Sequence, residues 1–197
     1  AAGLPGQPRL LVAAALSDTN LPNVARALRS LYPDTVMVIA SDIGNGEKKA
    51  LEAAYVAHGW VTKPSFGPND LIGGAVPTDF NDQAVIHGQE SVMKTLGSPR
   101  RLDEFDKQLI QWWRGELKVS HILTIGEASP ILQQFGASDH APIQISQNVL
   151  KKALDKHEID HAQLIGTGSA IQAPLAVFAS KRGDDHIVLL TEVAHAS

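Results

Sequence analysis

Apolar positions in the first hundred residues fall into short unbroken runs separated by amphipathic stretches. Residues 10–16 form one run, ended by Ser17-Asp18-Thr19-Asn20. Residues 36–40 form another, ended by Ser41-Asp42. Runs of that length predict strands, and the β-branched second run predicts one buried on both faces. Between them Val24, Leu28, Leu31 and Tyr32 recur at helical spacing. Asn20 is a candidate cap, and Pro22 sits in the first turn, where its missing N–H costs little. Residues 47–58 repeat the helical pattern up to Gly59, and residues 60–63 read as a short strand. Residues 64–78 are rich in proline and glycine and predict a surface loop. A helix over 82–96 would turn Ala84, Val85, Val92 and Met93 inward.

Gly97-Ser98-Pro99-Arg100-Arg101 marks the expected domain boundary, dividing the chain into residues 1–98 and 99–197. Beyond it a helix is expected over 103–117, with the stripe Phe105, Leu109, Trp112, Trp113. A strand over 121–125 and a helix over 127–135, stopped by Gly136, follow. Next come a strand over 143–146, a helix over 147–157 and a less regular stretch over 162–173. Two apolar strands, 175–180 and 186–193, are joined by Lys181-Arg182-Gly183-Asp184-Asp185 as a hairpin. Residues 10–96 alternate strand and helix, which predicts an α/β layer on a parallel sheet. Residues 103–197 predict a smaller α+β domain with antiparallel strands.

Composition narrows the function classes. The chain has 197 residues, a net charge of −4 and no cysteine. Disulfides, thiolate metal sites and cysteine nucleophiles are excluded. There is no global basic field of the kind strong nonspecific nucleic-acid binders carry. No apolar run approaches a membrane span. Residues 1–9 lack the charged and apolar regions of a signal peptide and read as a flexible lead-in, so a cytoplasmic location is the default expectation.

Two groups of residues carry candidate chemistry. Asp42 falls at the carboxyl end of a strand, where open α/β sheets place ligands. Asp79 and Asp82 could join it if the intervening loop folds back, and three such carboxylates suit Mg²⁺. The alternative is that Asp79 caps the helix containing Asp82. In the second half, His157 can do acid–base work near neutral pH, and Lys156, Lys181 and Arg182 can hold a phosphate. Ser180 and Thr191 can donate hydrogen bonds from the hairpin. The alternative is a helix-terminal histidine favouring the dipole and a solvated hairpin tip. Trp112 and Trp113 are candidates for the core, for a protein-partner surface or for base stacking.

Residues 10–96 resemble the Toprim domain of the primases carried by conjugative plasmids and phages. The matching words are LLVAAALS, NLPNVARALRSLYPD, VMVIASD, KKALEAAYVAHG, VTKPSFG and DFNDQAVIHG. The resemblance implies a strand-end Glu and an Asp-x-Asp pair holding Mg²⁺ for phosphodiester chemistry, with Asp42 as the first Asp of the pair. Gly44 occupies the second Asp position, and the segment carrying the Glu would lie ahead of residue 1. The implied site is therefore degenerate. Residues 123–193 resemble a phage-type domain of the barnase–EndoU–colicin–RelE nuclease superfamily, through ILQQFG, PIQISQNVLKKALDKHEID and APLAVFASKRGDDHIVLLTEV. That resemblance puts His157, Ser180 and Thr191 on its recurrent polar positions, and the family's last strand would lie beyond residue 197.

The expectation is a nucleic-acid-processing protein of a mobile element, acting on RNA or single-stranded DNA. Metal-independent RNA cleavage by the second half is the specific enzymatic reading. A non-catalytic nucleic-acid or protein-binding scaffold is the alternative, and a Mg²⁺-dependent primase-type nucleotidyltransferase is a third.

Overall fold

The structure, a computed structural model, describes residues 11–44, 46–157, 159–181 and 186–191. It is mixed α/β, with sheets of two or three strands. Helix α1 (Leu21–Leu31) carries Pro22 in its first turn, as the pattern predicts. Strand β1 (Val38–Ala40), helix α2 (Glu47–Val56) and strand β2 (Trp60–Thr62) make a parallel crossover, with Val38 opposite Trp60 and Ala40 opposite Thr62. The end of α2 explains two unusual residues. His58 takes a φ of 48°, its N–H donates to Tyr55 O, and the Gly59 N–H reaches back to Ala54 O at 2.8 Å. That pairing satisfies the last carbonyls of the helix. A Cβ on Gly59 would lie 2.9 Å from Met37 O, so only glycine lets the chain pass so close to β1.

Strand β3 (Arg100–Arg101) pairs antiparallel with β2, placing Arg101 opposite Trp60 and Arg100 opposite Val61. The stretch expected as a boundary thus supplies the third strand of the first sheet. Helix α3 (Phe80–Leu96) is broken at Gly88, whose φ of 82° and ψ of 165° are not helical. The break displaces the expected inward stripe. Val85 and Met93 are exposed, and Gln83 is buried instead.

Two further expectations fail in the same region. Residues 11–16 form no strand: Leu16 takes a φ of 63°, which ends extended geometry, and it is 98% exposed. Strand β1 is buried on one face only. Ile39 packs with Ala25, Ala50, Ala54 and Val61 beneath α1 and α2, whereas Val38 faces outward and Val36 is 75% exposed.

Helix α4 (Glu104–Trp113) is started by a reciprocal cap. The Asp103 carboxylate accepts the Asp106 N–H at 2.8 Å, and Asp106 accepts the Asp103 N–H at 3.1 Å. Strand β4 (Ile122–Glu127) pairs antiparallel with β5 (Pro142–Ser146). Because β4 runs to Glu127 and Pro130 can sit only in a first turn, the expected helix shrinks to α5 (Pro130–Gln133). Helices α6 (Gln147–His157), α7 (His161–Leu164) and α8 (Thr167–Gln172) lead to the hairpin of β6 (Ala176–Ala179) and β7 (Ile187–Leu190). Phe105, Leu109, Leu123 and Leu150 form a second core, and Trp113 and Ile165 pack against both cores. Among the described residues no helix is long and apolar enough to cross a membrane.

Candidate functional site

A cleft of about 920 Å³ opens at the carboxyl ends of β1 and β2. Ser41 follows β1 and Lys63 follows β2, so the crossover itself delivers both to the rim. Helix α3 forms one side through Gln83, His87, Lys94 and Thr95. The α7–α8 turn forms the opposite side through Ile165, Gly166 and Ser169.

The far wall is anchored by one buried acid. Asp106, 0% exposed, pairs with the guanidinium of Arg100, and its Oδ1 accepts the Gly166 N–H at 2.9 Å. Ser169 Oγ donates to Asp103 Oδ2 at 3.0 Å beside it. Burial pushes the Asp106 carboxyl above its ordinary range, and Arg100 opposes that shift.

The floor is a hydrogen-bonded lattice of amide and hydroxyls. Gln83 Nε2 donates to Ser91 Oγ at 2.9 Å and to Thr95 Oγ1 at 2.8 Å, and Thr62 Oγ1 donates to Thr95 O at 3.0 Å. Gln83 is 1% exposed, and its Oε1 has no partner among the described residues.

Several cations line the cleft, and most of them are paired with carboxylates. Lys63 ion-pairs with Glu47 at 2.6 Å, and Arg100 is held by Asp106, leaving its outer face exposed. His87 hydrogen-bonds Asp70 at 2.7 Å. The Asp70 carboxylate also accepts the Gly67 N–H, and that bond, followed by the one to His87, holds it below the ordinary carboxylate range. Lys94 is exposed and makes no ion pair among the described residues. Glu47 is the one acidic residue on the lining among those described. Cations among hydroxyl donors suit an oxyanion, and charge-assisted bonds to it are the strong ones.

The carboxylates proposed for magnesium do not make that cleft. Asp42 is exposed just beyond β1. The loop does fold back beside it: the Ile43 N–H donates to Thr78 O at 2.8 Å. Both carboxylates brought back take part in the start of α3. Asp79 accepts the Asp82 N–H at 2.8 Å, and Asp82 accepts the Thr78 N–H at 2.7 Å, which makes them the cap of α3. Among the described residues, no three His, Asp or Glu side chains gather as a metal ion requires. Asp79 and Asp82 serve the start of α3 in this arrangement, with Asp42 near them.

The second-half candidates are dispersed. His157 and Lys156 are exposed in the last turn of α6. The Ser180 N–H donates to His186 O at the turn end of the hairpin, whereas Thr191 follows Leu190, whose carbonyl accepts from Leu175 at the other end. Ser180 and Thr191 thus stand on the order of 15 Å apart along the ribbon. Lys181 is exposed, and Arg182 lies outside the described residues. Trp112 and Trp113 are half-buried around His161. Trp113 meets that ring edge-on at 5.3 Å, and Lys48 lies 5.6 Å from the Trp113 centroid. Burial first, and Lys48 second, lower the His161 pKa.

Sequence reasoning missed Gln83, Lys63, Lys94 and Arg100. Lys63, at a strand's carboxyl end, was the one with a usable signal. The others depend on the break at Gly88 and on β3. Comparison with protein-family models, with curated proteins and with solved structures finds no match for the chain.

Proposed function

We infer that this chain is a nucleic-acid-binding module that holds the phosphate of RNA or single-stranded DNA in the cleft without cutting it. The observation that carries this reading is the cationic, hydroxyl-rich lining in a chain whose net charge is −4. Cations in a cleft focus the field there and raise the local concentration of anions. The cleft is also large enough for a nucleotide-sized group. The resemblance of residues 10–96 to the Toprim domains of plasmid and phage primases supports the same ligand class and a role on a mobile element.

The test is fluorescence anisotropy with a labelled single-stranded oligonucleotide. Binding should weaken as salt rises, and Lys94→Glu should weaken it about tenfold or more. Wild-type affinity in Lys94→Glu would refute the cleft as the site. RNA cleavage by the second half draws less support, because Ser180 and Thr191 stand at opposite ends of their hairpin. Metal-independent RNA cutting that His157→Ala abolishes would reverse that ranking.

A further inference from the structure

Strand β3 is an edge strand two residues long, and successive residues of a strand point to opposite faces. Arg100 turns to the cleft and Asp106, while Arg101 turns to the other face, where its guanidinium lies 5.4 Å from the Trp60 ring. Val38, Trp60 and Arg101 register as one row across that face. Among the described residues no helix covers the row: Val38 and Arg101 are exposed and Trp60 is half-buried. Beside it is a recess of about 300 Å³, lined by Arg29, Asp34, His58 and Val36 among others.

We propose that a single strand of nucleic acid crosses the β3 edge, with one phosphate in the cleft beside Arg100 and an adjoining base stacked against the Arg101–Trp60 pair. The proposal rests on the binding reading above and adds the path of the strand and its second contact. Three observations favour this occupant. The recess is small, at the lower end of the size that holds a flat ring system. Its charge is complementary to a polyanion. Arg101 makes no ion pair among the described residues, and Arg29 adds charge while its Nε and Nη1 donate to the carbonyls of Ala57, Tyr32, Pro33 and Thr35. Asp34 is the one acid on the recess lining. The Arg101 guanidinium lies over the Trp60 ring, and such a stacked guanidinium and indole offer a platform of flat surfaces on which an unpaired base stacks regardless of its identity. A duplex cannot use that platform, because its bases are already stacked on one another.

Two ligands separate the contacts: labelled oligothymidylate of about eight nucleotides, within the usual single-strand site size, and 2-deoxyribose 5-phosphate, a monophosphate that carries no base and so tests the cleft alone. Trp60→Leu, which keeps β2 filled, and Arg101→Ala should each weaken the oligonucleotide about tenfold. Both should leave the monophosphate affinity unchanged. Trp60→Phe retains a ring and should restore most of the oligonucleotide affinity, which loss of fold in Trp60→Leu could not mimic. Wild-type oligonucleotide affinity in both Trp60→Leu and Arg101→Ala, with binding still lost in Lys94→Glu, would overturn the path and leave the cleft reading intact. Failure of both ligands to bind the unaltered chain would overturn both.

Discussion

Asp106 and Gly166, sixty residues apart in the chain, are joined by a 2.9 Å hydrogen bond from the glycine N–H to a fully buried carboxylate. The same carboxylate holds Arg100 and closes the cap of α4. One acid therefore ties the first sheet, the start of α4 and the α7–α8 wall of the cleft together.

Removing that carboxylate should be costly. Asp106→Ala leaves the Gly166 N–H and the Arg100 guanidinium without their acceptor and opens half of the cap. A loss of about 2–4 kcal/mol is expected in urea unfolding, below the upper range for buried pairs because Arg100 is partly solvated. Asp106→Asn, which keeps one acceptor oxygen, should lose less. Equal stability of the alanine variant and the parent would show that these contacts do not anchor the wall.

His161 sets a pH dependence. Its folded pKa lies below the ordinary histidine value, chiefly through burial and then through Lys48, with Asp160 and Glu52 pulling the other way. As pH falls through about 6.5, the unfolded chain takes up the proton first, so the folded state loses stability until the lowered pKa is reached. His161→Gln cannot titrate. Unfolding free energies at about pH 7.5 and 5.5 should fall further in the parent than in the variant, since the other histidines are common to both. Parallel falls would remove His161 as the source.

Magnesium should bind weakly at most. Asp79 and Asp82 each give one oxygen to backbone N–H groups at the start of α3, which ties both carboxylates to the cap, and Asp42 is an exposed carboxylate near them. A single protein carboxylate rarely holds Mg²⁺ without substrate phosphates to complete the shell. Titration calorimetry with magnesium chloride should show no saturable heat below roughly millimolar concentration. A saturable heat that disappears in Asp42→Ala would show that Asp42 holds the ion after all.

The hydrophobic pattern alone was enough for local structure wherever an element buries one face. Helix α2 and its closure near Gly59, the stripe Phe105–Leu109 of α4, the adjacent strands β1 and β2 and the C-terminal hairpin all follow from spacing and turn residues. The helices and the hairpin are decided locally, so the chain states them directly, whereas β1 and β2 were legible as apolar runs and the single buried face of β1 was not. The chain did not state that residues 11–16 stay out of the sheet, that Gly88 breaks α3, or that Arg100 and Arg101 face opposite ways across an edge strand. Those outcomes depend on which strand finds a partner and which face a helix covers. Because the free energy of a buried contact belongs to both partners, only the assembled tertiary structure could bring Lys63, Gln83, Lys94 and Arg100 around one cleft.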